Sequence, residues 1–152
     1  MKINWKKLII ITVITFLIGS IFSIFTMNNM EVFKSLDKPI NVPGIAFPIV
    51  WSILYLLMSI SYYLICEKEG NDKAVRMYWI QLVINSLWTL IFFGFKAYLF
   101  AFIWLLLLLI SIIIMLVEFY KVDKKAAYLN IPYLLWVIFA GYLNLGIYLL
   151  NK

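Results

Sequence analysis

Five long apolar runs separated by short polar segments dominate the hydrophobic pattern of this sequence. Each run has the roughly 20 residues with which a helix crosses the hydrocarbon core of a bilayer. Because the connections are short, little chain is left for a separate soluble module. We expect one domain over residues 1–152, an all-α integral membrane protein built as a five-transmembrane-helix bundle. The pattern predicts spanning helices over residues 5–27, 44–67, 73–95, 97–120 and 126–150.

The one long connection, residues 28–43, has a helical pattern of its own. Phe33 lies among apolar positions at helical spacing, Asn29 can cap the first turn, and the segment ends at Pro39. This pattern predicts a short interfacial helix in the first loop. A loop of this length is either a lid over a binding site or a passive surface connector, and the pattern is compatible with both.

Prolines near the start of two runs are expected to disturb their helices, because proline has no N–H to donate. Pro48 lies about one turn into the second run and would free a backbone carbonyl near Gly44. Pro132 lies in the predicted second turn of the fifth run and would free the carbonyl of Tyr128.

Composition and charge support a membrane location. The chain is 66% hydrophobic, and its 13 basic residues outnumber its 7 acidic residues. The basic residues cluster at the ends of the runs, so we interpret them as topology signals and lipid-headgroup contacts, and we expect no nucleic-acid binding. Most of them precede the first run or lie in the second and fourth connections. The positive-inside rule therefore predicts a cytoplasmic membrane protein with its N-terminus inside and the first loop outside.

Several kinds of chemistry lack their usual residues. The sequence has no histidine and one cysteine, Cys66, so it predicts no internal disulfide, no metal site and no Ser-His-Asp or Cys-His catalytic set. No acid or base lies in the middle of a run, which argues against a proton-coupled or ion-coupled transporter. No cofactor is required by any motif that we find.

Three of the runs carry an unusual stripe of aromatic and uncharged amide side chains. Steps of three and four place each set on one helix face. A carboxamide without a partner costs several kcal/mol in hydrocarbon, so these faces should turn toward the interior. The stripes are Pro48, Trp51 and Tyr55; Gln81, Asn85, Trp88 and Phe92; and Tyr133, Trp136, Ala140 and Asn144.

Together these faces predict a pocket for a flat, largely apolar ligand. Indole and phenol rings provide rigid stacking surfaces, and amides can orient a carbonyl or a carboxylate. Lys34 and Lys38 of the first loop could meet ligand carboxylates at the mouth. For any single aromatic residue, ordinary packing is the alternative interpretation, because apolar spans often carry Trp and Tyr.

In order and spacing, these residues resemble the TspO/MBR family of tryptophan-rich sensory proteins and translocator proteins, once called peripheral benzodiazepine receptors. The resemblance covers nearly the whole chain. It rests on Lys38-Pro39 and Pro43, Val50-Trp51, Leu54-Tyr55, Gln81, Asn85, Trp88 and Phe92-Phe93, and on the segment from Pro132 through Trp136 and Ala140 to Asn144.

The resemblance implies a five-helix bundle, commonly a homodimer, with a pocket beneath the first loop. Members bind porphyrins such as protoporphyrin IX, and in some cases sterols and synthetic ligands. Some bacterial members are reported to degrade porphyrin under light, and the implicated tryptophans match Trp51 and Trp136. This sequence departs from the family pattern in the loop, where Asn41 replaces a tryptophan and Gly44 replaces a proline.

The leading hypothesis is therefore a membrane receptor or carrier that binds a tetrapyrrole inside the bundle, with lipid and a second copy of the chain as further partners. The first alternative is an enzyme that degrades porphyrin in the presence of light and oxygen, with Trp51 and Trp136 as its catalytic residues. The second alternative is a passive transporter of tetrapyrroles or sterols.

Overall fold

The computed structural model describes residues 2–152 and, over these residues, contains helices and no strand. Five helical segments of this range are long and apolar enough to cross a membrane. The predicted all-α class and five-span bundle are thus confirmed. The helices are α1 (Trp5–Thr26), α2 (Met30–Ser35), α3 (Ala46–Cys66), α4 (Asp72–Thr89), α5 (Tyr98–Val122), α6 (Lys124–Leu129) and α7 (Ile131–Asn151).

The helices pack in a ring in which α1 contacts α3 and α4, α4 contacts α5, and α5 contacts α7. The short helix α6 packs between α3 and α5. The first two turns of α3 and of α7 meet through aromatic rings: the Phe47 and Trp136 ring centroids lie 6.1 Å apart, and the Trp51 and Tyr133 ring centroids lie 6.2 Å apart. Isoleucines and leucines cover the outer surface, as expected for helices in contact with lipid.

The predicted short helix of the first loop is present as α2, but it begins and ends differently from the prediction. A 3₁₀ turn, Met27–Asn29, joins it directly to α1. Asn29 does not cap it, and its side-chain amide instead donates to the Phe93 carbonyl at 2.7 Å. Because the chain is already helical on entering α2, the cap has no role there, and the amide bonds to a neighbouring helix instead.

The third span ends in a π-helical turn, Leu90–Gly94, that the sequence pattern did not predict. The Phe95 N–H reaches back to the Leu90 carbonyl at 3.0 Å, and this wider turn leaves the Phe93 carbonyl available to Asn29. The turn also directs Phe93 toward Phe33 of α2, with ring centroids 5.5 Å apart. The first loop is therefore fastened to the end of the third span.

The last span is interrupted at Asn130, so the predicted continuous helix over 126–150 is wrong at this point. Pro132 consequently lies in the first turn of α7, where a missing N–H costs little. The buried Asn130 amide donates to the Ser61 hydroxyl at 2.6 Å and to the Ala126 carbonyl at 3.0 Å. Likewise, α3 begins at Ala46, so Pro48 lies in its first turn and interrupts no intrahelical bond.

The first loop is also attached to the end of α7. The Asn151 side chain accepts from the Asp37 N–H at 3.0 Å and donates to the Asp37 carbonyl at 2.8 Å. One turn earlier, the ring of Pro39 lies so close to Gly146 that a Cβ there would overlap it. The loop therefore contacts both α7 and the π-helical turn, which keeps it folded over this end of the bundle.

Candidate functional site

A cavity of about 410 Å³ lies between α1, α3 and α4 beneath the start of the first loop. No acidic or basic side chain is among the residues that line it. The lining residues are Phe16, Ser20, Ser23, Thr26, Met27, Met30, Gly44, Phe47, Pro48, Trp51, Ser52, Tyr55, Trp88, Thr89 and Phe93.

One stacked aromatic pair lines this cavity, and a second pair contributes one of its two rings. On α3, the Trp51 ring stacks on Tyr55 with centroids 5.5 Å apart and planes 30° apart. At the end of the third span, Trp88 stacks on Phe92 at 5.2 Å and 29°. The Tyr55 hydroxyl donates to the Gly19 carbonyl at 2.9 Å, which holds the first pair against α1. Four of the residues predicted from the stripes, Pro48, Trp51, Tyr55 and Trp88, thus line the cavity.

Asn144 lies behind the part of the cavity wall that Trp88 forms, and it orients the Trp88 ring. The Trp88 indole N–H donates to the Asn144 carbonyl oxygen at 3.1 Å. The Asn144 side-chain amide in turn donates to the Tyr98 backbone carbonyl at 2.9 Å. Asn144 is 1% exposed, and its bond to Trp88 is buried and shielded from water, whereas its bond to Tyr98 is partly buried. The carboxamide therefore determines how Trp88 presents its face to the cavity.

The two amides of α4 lie in the packed core. The Tyr133 hydroxyl donates to the Gln81 carbonyl oxygen at 2.7 Å, and the Gln81 amide donates to the Tyr78 carbonyl at 2.9 Å. Asn85 is also buried, and its amide nitrogen has no hydrogen-bond partner within residues 2–152. The structure therefore places Gln81, Asn85, Tyr133 and Phe92 outside the cavity lining, although all four lie inside the bundle.

No residue of the fifth-span stripe lines the cavity. Trp136 lines an apolar groove of about 400 Å³ between α3 and α7, together with Leu54 and Phe139. Its indole N–H is buried without a partner in the part of the chain that the structure describes. Phe47 lines the cavity and contacts Trp136, so the Trp136 indole is one ring removed from the cavity wall. Ala140 is buried and lines neither the cavity nor the groove.

The two predicted lysines lie at a separate pocket of about 310 Å³ formed by α2 and the first loop. Lys34 is exposed there, and Lys38 donates to the Leu36 carbonyl at 2.9 Å and lies 4.7 Å from the Phe33 ring centroid. Gly44 lines both this pocket and the cavity, so the two adjoin. Asn41, at the position where the family pattern has a tryptophan, also lines the lysine pocket.

The wall that α1 contributes was missed by the sequence analysis. Ser20, Ser23 and Thr26 recur every three residues and face the cavity, yet small hydroxyl residues on a span are equally typical of helix packing. The Ser20 hydroxyl donates to the Phe16 carbonyl at 2.5 Å, and the Thr26 hydroxyl donates to the Phe22 carbonyl at 3.0 Å. Both oxygens keep lone pairs that can accept a bond from a ligand.

These features together suit binding better than acid–base chemistry. The cavity combines flat aromatic walls with a few polar groups that can orient a ligand, and its volume falls in the range of about 300–1,000 Å³ that is typical of small-molecule sites. No cluster of His, Cys, Asp and Glu that could hold a metal ion occurs in residues 2–152.

Comparison with known proteins assigns the family. The TspO/MBR family profile matches residues 10–150. The chain is 38% identical to protein CrtK of Rhodobacter capsulatus over 124 residues, which cover 78% of each chain. It is 34% identical to the tryptophan-rich protein TspO of Archaeoglobus fulgidus over 152 residues, which cover 97% of this chain and 99% of that protein. It is 37% identical to the human translocator protein over 100 residues, which cover 62% of this chain and 59% of the human one. The chain is therefore a membrane protein that belongs to the TspO/MBR family.

Proposed function

We propose that this protein is a membrane receptor or carrier that binds a tetrapyrrole, with protoporphyrin IX as the representative ligand, in the cavity between α1, α3 and α4. The observation that carries the proposal is the uncharged cavity lined by the stacked pair Trp51–Tyr55 and by Trp88, which stacks on Phe92 outside the lining. A flat macrocycle can stack on such faces, and stacking contributes about 0.5–1.5 kcal/mol per ring pair beyond burial.

The charge distribution supports a ligand with an apolar body and acidic edges. The cavity lining is uncharged, whereas the adjoining pocket carries Lys34 and Lys38. A ligand that spans the two through Gly44 would keep its ring among the aromatic walls and its carboxylates beside the lysines. Charge-assisted bonds of this kind are stronger than neutral ones, so the lysines would contribute to orientation as well as to affinity.

Porphyrin titration with tryptophan fluorescence as the readout tests this proposal. Saturable quenching is expected for the wild-type protein in detergent. Trp51→Phe and Trp88→Phe should each reduce the quenching amplitude, since both rings line the cavity. Trp5→Phe is the matched control, because Trp5 is exposed at the opposite end of α1. Non-saturable quenching, or the same loss of amplitude in all three variants, would refute the proposal.

The second candidate function is light- and oxygen-dependent degradation of the bound porphyrin. The position of the Trp51 indole on the cavity wall favours it, because an oxidisable ring would lie against the ligand. Trp136 would take part less directly, since it lies behind Phe47. Bleaching of the porphyrin absorbance under illumination should then be faster with the protein than with denatured protein, and slower with Trp51→Phe. Equal rates would leave binding as the function.

Passive transport of tetrapyrroles or sterols is the third candidate. No charged gate is found among the described residues of the cavity lining, which suits a carrier without energy coupling. Protein-dependent uptake of porphyrin into proteoliposomes would distinguish transport from binding alone.

For the assembly, we propose a homodimer in the cytoplasmic membrane with the N-terminus inside. The lysine bias of the N-terminal segment and of the second and fourth connections supports this orientation. Thiol labelling from each side tests the topology, with single cysteines introduced at Lys2 and Lys152 in a Cys66→Ser background. Native mass spectrometry tests the oligomeric state.

A further inference from the structure

A second groove, of about 470 Å³, lies at the end of the bundle that holds the N-terminus, far along α1 from the cavity. The first turns of α1, the end of α3 and the first half of α4 form it. Its lining residues are Asn4, Lys6, Lys7, Ile10, Ile11, Tyr62, Cys66 and Trp79.

The deeper part of this groove is apolar and well fixed. The Trp79 indole N–H donates to the Tyr62 hydroxyl at 3.0 Å, and the two rings meet edge to face at 5.2 Å. Trp79 also contacts the buried Tyr78 ring at 5.2 Å. Ile10 remains 48% exposed beside this surface. The groove therefore has a rigid apolar floor on the outer surface of three spanning helices, where an acyl chain can lie.

The rim of the groove has an uncompensated positive charge. Lys7 pairs with Glu67, but no carboxylate lies within 4 Å of the Lys6 ammonium in the described part of the chain. No acidic residue occupies the first turn of α1. The N-terminal end of a helix is itself electropositive, so two lysines there are unfavourable unless an anion lies nearby. One carboxylate, that of Glu67, offsets only part of this charge.

We propose that this groove binds one anionic glycerophospholipid. Its phosphate would lie at Lys6, and one acyl chain would run along Ile10 and Trp79. The apolar floor and the cationic rim complement the two halves of such a lipid. A second copy of the chain fits less well, because a twofold interface would bring the same lysines of both copies together. The proposal is independent of the tetrapyrrole cavity.

Nanodiscs that contain lipids brominated on the acyl chains provide the test. The fluorescence signal of Trp79 is obtained as the difference between the emission of the wild-type protein and that of Trp79→Phe. We expect brominated phosphatidylglycerol to quench this signal more strongly than brominated phosphatidylcholine at the same mole fraction. Lys6→Gln should reduce the preference by about fivefold, the effect of one basic residue at an anionic surface. Lys96→Gln, at the other end of the bundle, should leave it unchanged.

Cys66 supplies a second measurement in the unmodified chain, because it is the single cysteine and it lines the groove. Phosphatidylglycerol should slow alkylation of Cys66 relative to phosphatidylcholine, and soluble glycerol phosphate should not. Equal quenching by the two lipids, or an unchanged preference in Lys6→Gln, would overturn the proposal. Protection by glycerol phosphate alone would indicate an anion site without a lipid. A Cys66–Cys66 cross-link between copies, together with absent quenching, would indicate that a second copy covers the groove.

Discussion

The two ends of the bundle arrange aromatic side chains of similar type in different ways. At the loop end, the stacked pairs Trp51–Tyr55 and Trp88–Phe92 each lie within one span, four residues apart. At the other end, Tyr62 of α3 stacks on Tyr78 of α4 at 4.2 Å, and Tyr78 stacks on Phe119 of α5 at 6.4 Å.

This difference explains why the loop end has a cavity between its helices, whereas the other end has a groove on its outer surface. Rings that stack along their own helix leave the space between helices open, whereas rings that stack across helices fill it. Hydrogen bonds reinforce the contrast: the Tyr78 hydroxyl bonds to the Thr15 hydroxyl of α1 at 2.6 Å, which joins the first and third spans. Residue type alone therefore does not distinguish a packed end from a binding end.

The largest expected effect lies at the packed end. Tyr78→Ala removes a fully buried ring that contacts Tyr62 and Phe119, and it leaves Thr15 without its partner. We expect a loss of about 3–5 kcal/mol in the free energy of unfolding, measured by denaturant titration in micelles. Tyr142→Ala, at an exposed position, is the control. A similar loss in both variants would show that Tyr78 has no special place in the packing.

The next effect lies behind the cavity wall. Asn144→Leu leaves the buried Trp88 indole N–H without a partner and removes the hydrogen bond to the Tyr98 carbonyl, which should cost about 1–3 kcal/mol. It should also weaken porphyrin binding if the orientation of Trp88 matters. In a Trp88→Phe background, which lacks the indole N–H, the stability cost of Asn144→Leu should be smaller. Additive costs in the double variant would contradict the proposed coupling.

A smaller effect is expected at the attachment of the loop. Asn151→Ala removes both hydrogen bonds to Asp37, worth together about 1–2 kcal/mol. Local opening of residues 36–43 should then be about tenfold more frequent, which amide hydrogen exchange can measure. Lys152→Ala is the neighbouring control. Unchanged exchange in Asn151→Ala would mean that the contact of Pro39 with Gly146 holds the loop by itself.

The smallest stability effect should accompany a large effect on binding. Ser23→Phe places a ring in the cavity, and we expect stability to change by only about 0.5 kcal/mol, as for changes that create neither a cavity nor a buried unpaired group. Porphyrin quenching should be lost. Ser23→Ala removes the hydroxyl without filling the space and should keep most of the binding. Normal binding by Ser23→Phe would place the ligand elsewhere, and the groove beside Trp136 would be the next candidate.

Much of the fold was predictable because hydrophobic length is a local property. Five runs, the short loop helix and the burial of the amide stripes follow from residue spacing and from the cost of a polar group in hydrocarbon. The π-helical turn and the interruption at Asn130 were not predictable in this way. Both depend on partners distant in sequence: Asn29 bonds to the Phe93 carbonyl, and Asn130 bonds to Ser61.

The same distinction between local and long-range information applies to the candidate site. Periodicity along the chain determined that Trp51, Trp88 and Asn144 lie on faces directed inward, because the period of a helix assigns each residue to a face. Only the tertiary structure decided which inward faces meet across empty space. It placed the hydroxyls of α1 on the cavity wall, Asn144 behind Trp88, and Trp136 on a different groove. The physical reason is that a helix face has a direction fixed by its own sequence, whereas its neighbour is chosen by the packing of the whole bundle.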